Sequence, residues 1–119
     1  AFLPGALTLV MNKSENVPEY ATNGLDTIGV RMPDDPFVLK LIEGVGVPML
    51  VTSANLSGEA TGTTFEEVMA QLDGRIDGIV KGTCGCLSAS TIIDVTKEQV
   101  KVLREGPISR EEIEKVLAK

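Results

Sequence analysis

Histidine and tryptophan are absent from this 119-residue chain, and cysteine occurs only twice. Without imidazole there is no Ser-His or Cys-His relay, so nucleophilic hydrolase chemistry of that type is excluded. Zinc would need ligands beyond two thiols. Those thiols, Cys84 and Cys86, stand one residue apart in KGTCGCLSAS, too close for ordinary disulfide geometry with each other. They are expected as reduced thiols in a Gly-rich loop, which fits a reducing compartment, and no metal site is expected. Cations are scarce as well: 11 Lys and Arg against 17 Asp and Glu give a net charge of −6, which leaves no broad basic surface for gripping many phosphates. Any RNA contact would have to be local. There is no run of about 18 apolar residues and no basic segment leading into an apolar stretch with a cleavage site. Neither a membrane span nor a signal peptide is indicated, and a cytoplasmic location is expected.

What the chain does contain suits one globular domain or part of one. At 43% hydrophobic and 24% charged residues it can bury a core, and disorder is not expected. A Pro-Gly turn feeds an apolar run from Ala6 to Val10, read as a strand. Residues 12–24 are a polar loop, and TIGVRM (27–32) is a strand that stops before Pro33. Asp35 and Pro36 start a helix as N-cap and first helical residue, and Phe37, Val38, Leu41, Ile42 and Val45 give it a core face. VPMLV (47–51) reads as a buried strand. Thr63 with Glu66 forms a capping-box pattern ahead of Phe65, Val68, Met69 and Leu72. IDGIVK (76–81), STIIDVT (90–96) and QVKVLRE (99–105) read as three further strands. Ser109 and Glu112 make a second capping box for a last helix docked by Ile113, Val116 and Leu117. Strands and helices interleave, so an α/β or α+β sheet protein is predicted.

Several strand ends carry small hydroxyl groups or a lone arginine: Thr27 to Arg31, Ser53 to Ser57 within VTSANLSGEA, Ser90-Thr91, and Arg104. Ligand crevices of α/β folds form at strand ends, where loops offer N–H and hydroxyl donors. Taken singly, Ser-Ala-Asn-Leu-Ser-Gly is a turn whose side chains bond their own backbone, and each arginine is a solvated surface residue.

The blocks FLPGALTLVM, TIGVRMPDDP, VPMLVTSANLSGEATGTTFEEV, GRIDGIVKG, STIIDVT and VLREGPISREEI together resemble, in order, the YrdC/Sua5 family of threonylcarbamoyl-AMP synthases. The resemblance implies a YrdC-like twisted mixed sheet with flanking helices and a concave cleft. It also implies an enzyme, a nucleotidyltransferase that converts L-threonine, bicarbonate and ATP to L-threonylcarbamoyladenylate and pyrophosphate. A partner threonylcarbamoyl transferase would pass the group to tRNA as the t6A modification. By the same resemblance Arg31, Ser53 and Ser90 contact L-threonine, and Thr27, Val51, Asn55, Thr61 and Arg104 line the ATP site. No side chain is assigned to covalent catalysis. Mg²⁺ would accompany ATP on phosphate oxygens and water, without a dedicated protein cage.

Members of the family carry a Lys-x-Arg signature upstream of the Pro-Gly block, and none of the seven lysines here lies in such a context. The chain is therefore expected to be the C-terminal portion of the domain, residues 1–119 forming a single partial YrdC-like unit that is inactive alone. Two other readings compete with the synthase. One is a non-catalytic, double-stranded-RNA-binding or regulatory YrdC-like module; the other is the related domain of a hydrogenase-maturation carbamoyltransferase.

Overall fold

The computed structural model describes residues 1–85 and 88–119. The chain divides into two compact units, Ala1–Met49 with Ser88–Lys119, and Leu50–Leu87. The first is built on a four-stranded mixed sheet. Its strands are β1 (Leu7–Asn12), β2 (Thr27–Val30), β3 (Thr91–Asp94) and β4 (Lys101–Arg104), in the order β2-β1-β3-β4. β1 pairs antiparallel with β2 and parallel with β3, while β3 pairs antiparallel with β4 through a bulge between Ile92 and Ile93. A mixed α/β fold is thus confirmed.

Alternation along these strands decides the core. Leu7 pairs with Thr91 and Leu9 with Ile93, and residues opposite one another share a face. That face carries Leu7, Leu9, Ile93 and Val95, and it meets Val100, Val102, Ile108 and Ile113 in the hydrophobic cluster. Ile113 comes from α4 (Arg110–Leu117), whose N-terminus is fixed by the predicted box: Ser109 and Glu112 each accept from the other's backbone N–H. Of the three residues predicted to dock this helix, Ile113 is buried, whereas Val116 and Leu117 remain exposed.

Before β2, the stretch read as a polar loop contains one helical turn, α1 (Glu19–Thr22). Lys13 holds it by an ion pair to Glu19 at 3.0 Å. The next helix, α2 (Pro36–Val45), starts where Asp35 and Pro36 predict: Asp35 accepts from the Val38 N–H. Its amphipathic pattern is real, but its burial is not. No residue of α2 is buried, and Phe37, Leu41 and Val45 are exposed. The expectation of a core face is corrected here, because helical spacing sets which side chains share a side and says nothing of what covers it.

The second unit holds α3 (Phe65–Leu72) and the loops around it. Its capping box is shifted by one residue from the expected Thr63 and Glu66. Thr64 accepts from Glu67 N–H, and the Glu67 carboxylate reaches back to Thr64 N–H. An isolated bridge joins Thr64 to Thr83. Two further corrections concern strands: neither residues 47–51 nor residues 76–81 form one. A strand exists only as a member of a ladder, and neither run enters one. Cys84 is a free, exposed thiol; Cys86, its expected neighbour in the Gly-rich loop, lies outside the described residues.

Candidate functional site

In the sheet unit, the two faces divide the labour. Thr8 pairs with Ile92, and Ile92 with Arg104, so the alternation that sends Leu7 and Ile93 into the core sends Thr8 and Arg104 to the other side. Ser90 joins them there. Its Oγ lies 2.8 Å from Thr8 Oγ1, with either hydroxyl able to donate. Its carbonyl accepts from Arg104 Nε at 3.1 Å and Nη2 at 2.8 Å. Ser90 is 8% exposed, while the Arg104 side of the pair faces solvent.

This arrangement has an electrostatic consequence. A guanidinium is always charged and presents five donors, yet two of its nitrogens here meet a neutral carbonyl. Among the described residues, no carboxylate is paired with Arg104. The charge is held in place without being cancelled, which is the condition for binding an anion.

Arg31 follows β2 directly. Its Nε donates to the Gly5 carbonyl at 3.2 Å, and Gly5 N–H donates to Met32 O at 2.9 Å. These bonds tie Arg31 to the start of β1, the end of the sheet that also carries Ser90, since β3 runs parallel to β1. Arg104 closes β4 at the same end. Arg31, Ser90 and Arg104 are therefore gathered at one end of the sheet. Thr27 is not among them. It opens β2 opposite Asn12, four residues from Arg31, or about 13 Å along an extended strand.

In the second unit, Val51 is 82% exposed and Ser53 is exposed on a stretch with no strand before it. Asn55 and Thr61 are brought together: Thr61 Oγ1 donates to Asn55 Oδ1 at 3.3 Å. Asn55 Nδ2 donates to the carbonyls of Leu56 at 2.9 Å and Glu59 at 3.1 Å. Both ends of the Asn55 amide thus fasten the loop that contains it. Gln71 does the same from α3, accepting from Leu56 N–H at 2.8 Å and donating to Ala60 O at 2.9 Å.

Two participants were not singled out from the sequence: Thr8 supplies the hydroxyl against Ser90, and Gln71 spans the loop. Thr91, noted there only as a hydroxyl beside Ser90 at a strand end, anchors the strand start. No local pattern marks Thr8, because its partner lies 82 residues away. Among the described residues, no group of three or more His, Cys, Asp or Glu side chains is placed to hold a metal ion. The donor set does not suit a protein-held Mg²⁺. Nor does any helix among them have the length and apolarity to cross a membrane.

Comparison with known proteins follows the same lines. The Sua5/YciO/YrdC family model, described as telomere recombination, matches residues 1–106. The threonylcarbamoyl-AMP synthase of Bacillus subtilis is 43% identical over 98% of this chain and 34% of its own length. Its counterpart from Pyrococcus abyssi is 44% identical, again over 98% of this chain and 34% of that protein. The crystal structure of P. abyssi Sua5 complexed with L-threonine superposes with a TM-score of 0.91 over 98% of this chain and 34% of that one. E. coli YciO, at 33% identity, gives a TM-score of 0.80 over 92% of this chain and 54% of its own. The chain thus spans about a third of the length of the B. subtilis and P. abyssi relatives. With nearly nine-tenths of its residues inside the family model and a sheet that superposes on two solved members, this chain belongs to the Sua5/YciO/YrdC family.

Proposed function

We propose that this chain is part of a threonylcarbamoyl-AMP synthase, a nucleotidyltransferase that makes L-threonylcarbamoyladenylate. The observation that carries the proposal is the gathering of Arg31, Ser90 and Arg104 at one end of the sheet, in a chain 44% identical to a protein crystallised with L-threonine.

In the reaction, the amine of L-threonine and bicarbonate combine with loss of water to give a carbamate. A carbamate oxygen then attacks the α-phosphorus of ATP, and pyrophosphate leaves. The protein need not form a covalent bond; it must hold a carboxylate, a carbamate and a triphosphate in line with fixed donors. Arg31 takes the threonine carboxylate with its guanidinium fork, and the hydroxyls of Ser53 and Ser90 bond the rest of the amino acid. Arg104 faces the phosphates, and Thr27, Val51, Asn55 and Thr61 serve the nucleotide. The separation of Thr27 from Arg31 is consistent with this division, since an extended nucleotide reaches farther than an amino acid. Val51 and Ser53, both exposed, are free to meet ligand, whereas the amide of Asn55 acts by shaping the loop.

Mg²⁺ is expected on the phosphate oxygens and water of ATP, and no step is assigned to it. The product passes to a threonylcarbamoyl transferase for the t6A modification of tRNA. With a net charge of −6, direct RNA contact is local at most, and the work is cytoplasmic.

The test is pyrophosphate release by the polypeptide as its gene encodes it, dependent on both L-threonine and bicarbonate. Ser53→Ala should raise the KM for threonine more than that for ATP. Arg31→Lys should do so more severely, by roughly ten- to a hundredfold, because a charged bidentate contact is lost. Equal effects on both substrates would undo the assignment, and release that ignores threonine would remove the function.

A further inference from the structure

Behind the Ser90 and Arg104 pair, on the core side of the sheet, the hydroxyl of Thr91 is 0% exposed. It makes three hydrogen bonds, all to the segment after β4. Thr91 Oγ1 donates to Ile108 O at 2.6 Å and accepts from Gly106 N–H at 2.9 Å and Ile108 N–H at 3.1 Å. Its backbone N–H donates to Ala6 O at 3.0 Å, so the same residue is fixed to β1. One side chain thereby fastens residues 106–108 to the start of β3.

Gly106 shows how close the fit is. A Cβ there would strike the Ala89 carbonyl oxygen and stand 2.8 Å from Thr91 N and 2.9 Å from the Ser90 carbonyl carbon. The two segments touch backbone to backbone, with Arg104 two residues ahead of the contact and Ser90 within it. The Arg104 guanidinium reaches the Ser90 carbonyl only if that contact keeps its register.

We propose that Thr91 is a positioning residue: its buried hydroxyl locks segment 104–108 onto segment 89–91, and so sets the Arg104 guanidinium and the Ser90 hydroxyl relative to each other for the anionic nucleotide and the amino acid. The ligands named here rest on the synthase reading above; the positioning itself does not.

Valine has the shape of threonine without the hydroxyl, so Thr91→Val leaves the Gly106 and Ile108 N–H groups and the Ile108 carbonyl without their partner. Thr91→Ser keeps the hydroxyl and deletes only a methyl. The experiment compares both variants with the parent polypeptide, encoded in full by its gene, in two measurements. The first is the NMR signal of Arg104 Nε–H, expected to be unchanged in Thr91→Ser and moved to the position of a free arginine in Thr91→Val while the backbone spectrum stays folded. The second is titration with ATP and with L-threonine by calorimetry. Both affinities should fall about tenfold in Thr91→Val, the consequence of leaving buried polar groups unpaired, and less than twofold in Thr91→Ser.

An Arg104 signal that stays put in Thr91→Val overturns the proposal whether or not any ligand binds. So does a serine variant that weakens binding as much as valine, since the role would then be packing. Unchanged affinities in a valine variant whose parent binds both ligands overturn it as well. A parent that binds neither ligand defeats the synthase reading instead, and the arginine signal alone then decides for or against the positioning role. Should Thr91→Val not fold, Thr91→Ala, which removes the same hydroxyl and places no apolar methyl against the freed N–H groups, is read by the same signal with the same two outcomes.

Discussion

Ser90 stands where a ladder begins, 8% exposed, with its hydroxyl on Thr8 and its carbonyl holding a guanidinium. Ser53 stands on an exposed stretch that joins no ladder. The contrast extends to the units that carry them. Around Ser90, Leu7, Ile93 and Ile113 are buried beneath the sheet. Around Ser53, α3 buries none of its residues, and order comes from polar bonds by Asn55, Gln71 and Glu67. Hydrogen bonds on a partly exposed loop compete with water and contribute little net stability each, whereas a packed sheet keeps its side chains in place collectively. Two residues assigned to the same amino acid are thus held by different physics: one is preorganised, and the other depends on a loop.

The largest expected effect tests that difference directly. Ile113→Ala removes a side chain that is 3% exposed and should cost about 2–5 kcal/mol in urea unfolding. Leu72→Ala, on a half-buried residue of α3, should cost about 1 kcal/mol, because much of the truncated surface already meets water. Equal losses would erase the distinction between the units.

The sheet unit was also the more legible of the two, and for the same reason. Its strands are apolar runs beside turn signals, as in the Pro-Gly turn ahead of Ala6–Val10, and so could be read as strands, although the face that carries Leu7, Leu9, Ile93 and Val102 emerges only from the pairing. Asp35 with Pro36, and Ser109 with Glu112, mark helix starts because a cap is a local bond between residues a few positions apart. Residues 47–51 and 76–81 look equally strand-like in composition. A strand is defined by pairing with a distant segment, however, and short apolar runs carry no record of whether a partner exists. In TTFEE two threonines precede two glutamates, so the capping frame was ambiguous by one residue until the Thr64 hydroxyl was seen on Glu67 N–H. The site followed the same rule. Ser90 and Arg104 could be picked out as polar residues at strand ends, but the bonds that make them a pair belong to the register of β3 against β4.

Smaller effects come from the two capping boxes, which are built alike on the two unlike units. Ser109→Ala and Thr64→Ala should each cost about 1 kcal/mol of helix stability. Hydrogen exchange separates their consequences. In α4, the loss is expected to spread into the cluster around Ile113, because that residue belongs to both helix and core. In α3, faster exchange should stay within residues 65–72. A Thr64→Ala change that speeds exchange in β1 or β3 would contradict the local reach expected of that cap.

The smallest effect, and the most discriminating for the boxes themselves, is their response to acid. Glu67 lies below the ordinary carboxylate range chiefly because Thr63 N–H donates to it, helped by the Thr63 hydroxyl and Thr64 N–H. Glu112 is lowered chiefly by Ser109 N–H, then by the Ser109 hydroxyl, and also by the charge of Lys115. A carboxyl that binds its proton less readily folded than unfolded stabilises the fold above its unfolded pKa, and that contribution is lost as pH falls through the folded value. Both helices should therefore fray at their N-termini on acidification below about pH 4, the ordinary glutamate range, and not on the alkaline side. Salt then distinguishes them. Hydrogen bonds to a carboxylate are little screened, but the attraction of an exposed lysine is. Raising the ionic strength should move the Glu112 midpoint upward toward its ordinary value and leave that of Glu67 nearly unmoved. Side-chain carboxyl NMR titrations at two salt concentrations read both midpoints, and an equal salt response would mean that the two boxes, alike in their hydrogen bonds, do not differ in the one charge that distinguishes their surroundings.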